Sequence, residues 1–294
     1  MESRDFIVAE HRCRISFTDN EKNGFALLPS YTPFATTTAD DNLLFTLDVD
    51  DTLMPDKERE EVGDFELGDG SAKVSRRTNG GYQYIIRDTR NRPCCLLKTD
   101  KEFSHCCCAL NGDFAMRSFG LNDALMFIFA FAGSHEQTLL IHASTILNDG
   151  WGYPFIAKSG TGKSTHSQLW LKHIPGSELM NDDNPVVRVV DGKPYIYGSP
   201  WSGKTPCYKQ LKAPLGAVTR IDRAPANSID RLNPVQAFAS ILPCCSAMKW
   251  DKEIYDGICN TITRVIETTP VFTLHCLPDE EAAIVCHQAV AREN

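Results

Sequence analysis

Excess basic charge, a long apolar run and zinc-knuckle cysteine spacing are all missing from this 294-residue chain. The 30 Lys and Arg stand against 38 Asp and Glu, a formal charge of -8. That balance argues against a nucleic-acid backbone or an anionic membrane as the main partner. The most apolar run, ALMFIFAFAG (Ala124 to Gly133), is about half the ~20 residues that span a bilayer, and it reads as a buried helix. The first residues, MESRDFIVAEHRCR, lack the apolar core of a signal peptide. Seven of the 12 cysteines fall in vicinal clusters, Cys94-Cys95, Cys106-Cys107-Cys108 and Cys244-Cys245. None has the C-x₂-C spacing of a zinc knuckle, and the chain is not a small, evenly spaced disulfide scaffold. The pairs His275-Cys276 and Cys286-His287 could touch a metal, but cysteine is commonly a small buried apolar residue. A reducing cytoplasm is the expected setting. No internal repeat or low-complexity tract is visible.

What is present begins with a β-rich stretch. Residues 1–115 contain DFIVAEHRCRISF, NLLFTLDVD, DFELGDG, AKVSRRT, GYQYIIRD and PCCLLKT, short apolar runs broken by Gly, Asn, Asp and Pro. The character changes near Phe114, where MRSFGLNDALMFIFAFAG reads as a helix. The expected organisation is a smaller β-rich region over 1–115 and an α/β domain over 116–294. In the second part, TLLIHASTIL and WGYPFIA read as strands joined by an Asp149-Gly150 hairpin turn. A helix follows, with Leu169, Leu171 and Ile174 expected inward and Pro175 to Ser177 as its stop. Asp191-Gly192 marks a second hairpin between PVVRVV and KPYIYG.

Between the strand and that helix lies A-K-S-G-T-G-K-S, Ala157 to Ser164. It matches the phosphate-binding loop G-x-x-x-x-G-K-[ST] at every defining position but the first. Gly160 and Gly162 allow the backbone to turn its N–H groups inward on phosphate oxygens. The helix N-terminus near Lys163 adds partial positive charge. Lys163 would bridge β- and γ-phosphates, and the Ser164 hydroxyl would ligate Mg²⁺. The nucleotide contacts expected are Lys158, Ser159, Gly160, Thr161, Gly162, Lys163, Ser164 and Thr165. Ala157 fits the strand end if that position needs no positive φ.

If Asp149-Gly150 is a two-residue turn, residue 148 pairs with 151, and carrying that register back places His142 opposite Ala157, at the mouth of the loop; a three-residue loop would shift the register by one. The hairpin also makes the strand beside the loop antiparallel, unlike the parallel doubly wound sheet of most P-loop nucleoside triphosphatases. Asp182-Asp183 follow the loop's helix and one further strand. Carboxylates there suit Mg²⁺, and one of the two can accept a proton from an attacking hydroxyl. GSPWSGK (Gly198 to Lys204) is a possible second anion turn with Trp201 as a wall, or an ordinary turn. His166, Arg188 and Arg220 leave both readings open.

LLIHAS, AKSGTGKST, NDDNPVVR and GSPWSGK, in this order, resemble the catalytic domain of HPr kinase/phosphatase and its kinase-like relatives. They resemble ATP-dependent phosphoenolpyruvate carboxykinase more distantly, through the SGTGKS/T loop and a following Asp pair. The resemblance covers Leu139 to Lys204, extends weakly to VFTLHCLPDEEAAIVC, and does not reach residues 1–115. It implies a mixed-sheet α/β P-loop fold. By position it implies that His142 lies beside the loop, that Lys163 and Ser164 contact nucleotide and Mg²⁺, and that Asp182 and Asp183 share metal binding and acceptor activation. The glycine- and arginine-rich downstream signature of the bifunctional enzyme is not found, and the chain is short for a carboxykinase. The resemblance is thus to a kinase-like relative, without HPr as implied substrate.

LLFTLDVDDTLM carries a competing pattern, D-x-D-x-T (Asp48, Asp50, Thr52), which resembles haloacid dehalogenase-like phosphatases with an aspartyl nucleophile. Short strands and glycines follow it where a long helix should start. A third alternative is a nucleotide-binding regulatory domain without transfer. The expectation is an ATP- and Mg²⁺-dependent kinase with Asp182, Asp183, His142 and Lys163 as catalytic residues and Ser164, Asp182 and Asp183 around the metal. Its acceptor is a hydroxyl on a protein, a peptide or a small molecule. Neither nucleic acid nor membrane is expected as a partner, and an oligomer is possible.

Overall fold

Two-residue turns set much of the strand pairing. The computed structural model describes residues 2–18, 22–38, 40, 42–203 and 205–292. Ala9 and Glu10 (φ 50 and 64), Asp149 and Gly150 (φ 47 and 78) and Asp191 and Gly192 (φ 50 and 75) each turn a hairpin in the left-handed region, where Asp and Gly are tolerated best. By internal contacts the chain divides into two units, Met1–Gly133 and Ser134–Asn294.

The first unit is built on β1 (Glu2–Val8), β2 (His11–Phe17), β3 (Ala35–Thr36), β4 (Phe45–Val49), β5 (Arg59–Leu67), β6 (Gly70–Arg77), β7 (Tyr82–Asp88), β8 (Pro93–Thr99) and β9 (His105–Leu110), followed by helix α1 (Phe114–Gly133). The strands form one mixed sheet in the order β3-β1-β2-β4-β9-β8-β7-β6-β5. Strand β4 runs parallel to both its neighbours, β2 and β9. Helix α1 packs on β7, β8 and β9 and buries Leu121, Leu125, Ile128 and Phe129. The boundary expected from composition, at 115–116, and the contact division differ by this helix. Including its first turns, Phe114–Glu136 is long and apolar enough to cross a membrane by length and composition, and most of its apolar window is buried. The isolated run Ala124 to Gly133 understated that length.

Asp48 is exposed on β4. The Asp50 carboxylate accepts from the Thr52 amide at 2.9 Å and the Thr52 hydroxyl at 2.8 Å, so in the D-x-D-x-T pattern this carboxylate closes an Asx turn.

The second unit holds β10 (Thr138–Leu140), β11 (Ala143–Asn148), β12 (Trp151–Ile156), α2 (Lys163–His173), β13 (Glu178–Asn181), β14 (Val186–Val190), β15 (Lys193–Tyr197), β16 (Lys212–Pro214), β17 (Val218–Arg223), β18 (Ser228–Arg231), α3 (Pro234–Ile241), α4 (Lys252–Thr268), β19 (Val271–Cys276) and α5 (Glu280–Val290). Its main sheet is mixed, β13-β11-β12-β17-β19-β18, beside a four-stranded sheet β10-β14-β15-β16. Strand β12, which leads into the phosphate-loop motif, is antiparallel to β11 and parallel to β17. The hairpin register pairs Asn148 with Trp151 and Ala143 with Ile156, as the two-residue turn requires. The core on one face joins Tyr153, Phe155, Trp170, Ile221, Leu274 and Cys286.

Candidate functional site

The segment from Ala157 to Ser164 runs from the end of β12 to the first turn of α2. Gly160 and Gly162 have φ of 76 and 129, and a Cβ at either would meet nothing within 4 Å. Glycine is needed there for backbone conformation rather than for space. Ala157 is absent from the positions of positive φ, which is the condition under which alanine fits. Lys158, Ser159, Gly160, Ser164 and Thr165 are exposed, while Thr161, Gly162 and Lys163 are half-buried. Arg223, at the end of β17, donates from Nε to the Thr161 carbonyl at 2.9 Å and from Nη2 to the Gly160 carbonyl at 2.6 Å. Two carbonyls of the loop are thereby held toward the arginine.

Three backbone bonds bring the separate segments together. The His142 amide donates to the Cys244 carbonyl at 2.7 Å, Ala143 to Asp183 at 2.8 Å and Ile141 to Pro185 at 3.2 Å. The Asp pair is therefore stitched alongside His142 although forty residues of chain lie between. Lys163 Nζ lies 2.8 Å from His142 Nε2, and His142 Nδ1 lies 3.0 Å from Asp183 Oδ1. A protonated lysine only donates, so His142 Nε2 accepts and Nδ1 carries the proton toward Asp183. The ammonium also donates to the Ala157 carbonyl at 3.4 Å, leaving one of its three donors for an incoming anion. Burial pushes Lys163 below the usual lysine range, and the carboxylates of Asp183 and Asp182 oppose that shift.

The two aspartates have different surroundings. Asp183 is 31% exposed along its side chain, and its Oδ2 accepts from Asn184 Nδ2 at 2.6 Å. Asp182 is 6% exposed. Its Oδ1 accepts from Ser144 Oγ at 2.8 Å, and its Oδ2 has no partner among the described residues. Ser144 in turn lies 2.6 Å from Ser167 Oγ on α2. An ionised carboxylate with a buried, unsatisfied oxygen is costly unless a cation joins it. Among the described residues no group of three or more His, Cys, Asp or Glu could hold a metal ion. This donor set fits Mg²⁺, which is commonly held by one or two carboxylates plus substrate phosphates.

The remaining sequence candidates separate. His166 stacks edge-on against Phe155 at 4.6 Å and accepts from Trp170 Nε1 at 3.1 Å. Burial pushes its pKa down to about 4; it is a core histidine. Arg188 lies on β14, and Arg220 donates to Asp222 at 3.2 Å on the surface. The turn after Gly198 packs on the Asp pair. Asn181 Nδ2 donates to Ser199 Oγ at 3.1 Å and to the Trp201 carbonyl at 3.0 Å, and Ser199 donates to the Asn184 carbonyl at 2.6 Å. Lys204 lies outside the described residues. All 12 cysteines are free thiols, and His275 and His287 face Asp230 and Asn148.

Ser144, Ser167 and Arg223 are the residues that reading the sequence did not single out. Ser144 was within reach, since it sits two residues after His142, at the start of β11. Nothing local marks Arg223. A cavity of about 460 Å³ that includes Arg231, Phe272 and Arg292 opens where β19 begins. Because β12, β17 and β19 run parallel, that is the sheet edge opposite the phosphate-loop motif.

No family model matches the chain, and no curated protein matches it. Among solved structures it shows a slight likeness to the HPr(Ser) kinase/phosphatase from Coxiella burnetii, at 10% identity and a TM-score of 0.31, over 51% of this chain and 87% of that one. A TM-score that low fixes neither a specific fold nor an activity.

Proposed function

We propose that this chain is a P-loop phosphotransferase of the HPr-kinase-like type that moves a phosphoryl group from ATP to an acceptor hydroxyl, with the chemistry in its second unit. The observation that carries the reading is the hydrogen-bonded line Lys163–His142–Asp183 at the mouth of a glycine loop. Lys158 to Thr165 would cradle the nucleotide phosphates, and the free donor of Lys163 would meet the transferring phosphoryl oxygens. Ser164 and Asp182 would hold Mg²⁺, which supplies neutralisation of β- and γ-phosphate charge when bound. The burial difference divides the two acids. Asp182, enclosed and one partner short, suits the metal, and Asp183, open to solvent, suits orienting or deprotonating the acceptor. His142 keeps Asp183 and Lys163 in register, which is positioning rather than covalent chemistry.

The test is calorimetric titration with ATP and MgCl₂, together with slow hydrolysis of ATP as a surrogate for transfer. Asp182→Asn is expected to abolish the metal dependence of binding. Asp183→Asn is expected to bind within about threefold of wild type yet lose turnover by about 10²-fold or more, the usual range for a general base. Metal-independent ATP binding by the wild type, or none at all, would sink the reading.

A further inference from the structure

The hydroxyl pair behind Asp182 has a direction that follows from counting protons. An ionised carboxylate only accepts, so Ser144 gives its single proton to Asp182 Oδ1. Ser144 then has only a lone pair to offer, and Ser167 must donate to it. Both serines are fully buried, at 0% exposure, so solvent does not compete for either bond. Ser167 lies three residues after Ser164 on α2, hence on the same helix face. The hydroxyl chain therefore ties Asp182 to the helix end that carries the phosphate-loop lysine and serine.

We propose that Ser144, backed by Ser167, determines which divalent cation the site accepts. By engaging Oδ1, Ser144 leaves Oδ2 as the oxygen of Asp182 without a partner among the described residues. One fixed oxygen suits Mg²⁺, which demands a tight octahedral shell and usually keeps several waters. Ca²⁺ readily takes both oxygens of one carboxylate and tolerates a loose shell, so the same bond disfavours it. Ser144 is a positioning residue that acts through Asp182, and the inference rests on the reading of Asp182 as the metal carboxylate.

The experiment measures ADP affinity of the intact protein with MgCl₂, with CaCl₂ and with EDTA, so that no turnover is required. Wild type is expected to bind ADP more tightly with magnesium than with calcium. In Ser144→Ala the magnesium-to-calcium ratio is expected to fall by about tenfold, the scale of one charge-assisted hydrogen bond, with affinity in EDTA unchanged. Ser167→Ala removes only the outer link and is expected to move the ratio the same way by about two- to threefold. If Asp182→Asn abolishes metal dependence while Ser144→Ala, shown folded by circular dichroism, keeps the wild-type ratio, the inference is overturned and the metal reading stands. If Asp182→Asn retains full metal dependence, that reading fails and takes the inference with it. Should Ser144→Ala not fold, an unchanged ratio in Ser167→Ala overturns the proposal.

Discussion

Lys163 is half-buried with its ammonium on a histidine, and burial already pushes it below the usual lysine range. Removing it takes away the phosphate contact proposed for it and also leaves His142 Nε2 without its donor. Lys163→Ala is therefore expected to weaken ATP binding by about 10²-fold or more, since a charge-assisted contact and its partner are lost together. Asp48→Asn, on an exposed strand position of the first unit, is expected to leave ATP binding unchanged; a reversed pattern in calorimetry would favour the phosphatase chemistry suggested by Asp48 and Asp50. The residues legible from sequence were those whose meaning is local. Gly160, Gly162, Lys163 and Ser164 fall within one short stretch, and the place of His142 follows once the hairpin turn is taken as two residues. The contrast between Asp182 and Asp183 was not legible, because the partner of Asp182 is Ser144 on another strand, while that of Asp183 is the adjoining Asn184.

At the scale of elements, the loop's conformation is set partly from outside. Arg223 bonds two of its carbonyls from the neighbouring parallel strand, and a hydrogen bond with one charged partner contributes about 1.5–3 kcal/mol, less where the side chain is exposed, as here. Arg223→Ala is expected to raise the dissociation constant for ATP about 3- to 10-fold while moving the melting temperature little, since the side chain is exposed. A fall in melting temperature matching the loss in affinity would make the arginine merely structural. Packing in the first unit is less forgiving. Gly120 of α1 sits against β8, where a Cβ would come within 2.8 Å of Cys95 Cβ and 2.9 Å of Cys94 Cβ. Gly120→Ala is expected to cost about 1–3 kcal/mol in denaturant unfolding, despite the better helix propensity of alanine. The hairpins at Asp149-Gly150 and Asp191-Gly192 were legible because Asp-Gly turns announce them, whereas the one at Ala9-Glu10, inside the run DFIVAEHRCRISF, was not. Helix α2 was legible in extent and partly in orientation: Ile174 just beyond its end is buried and Leu169 and Leu171 pack partly buried against the core, but the enclosed side chains His166, Ser167 and Trp170 were not singled out by apolar periodicity. Strand β9 carries His-Cys-Cys-Cys, residue types that do not advertise a strand, and it forms because β4 and β8 pair with it on either side.

For the whole molecule, two ionisable groups withdrawn from water, His166 buried and Asp123 half-buried, set opposing pH dependences, one in each unit. Burial pushes His166, in the second unit, down to about 4. Its unfolded form takes up a proton below the ordinary value near 6.5, whereas the folded form refuses it until about 4. This group's contribution is therefore complete above about 6.5 and is lost as pH falls toward 4. Asp123, on α1 of the first unit, is pushed up to about 7 by burial, with the Asp69 charge adding to the shift. Its folded form keeps a proton that the unfolded chain releases above the ordinary carboxylate value, so its contribution is present at low pH and is lost as pH rises from about 4 toward 7. Each group supplies a slope of at most about 1.4 kcal/mol per pH unit, with opposite sign, over nearly the same window. Asp5, held low by its hydrogen bond to Arg14, acts below that window. If the chain unfolds in one step, the two slopes offset one another and its stability is nearly flat between pH 4 and 6.5. If the units unfold separately, one transition climbs with pH while the other descends. Substitution separates the contributions in either case. Asp123→Asn is expected to leave a stability that rises with pH across this range, and His166→Gln, which can still accept from Trp170, one that falls. Urea unfolding at several pH values reads both slopes, and parallel behaviour of the two variants would exclude these groups as the source of the pH dependence.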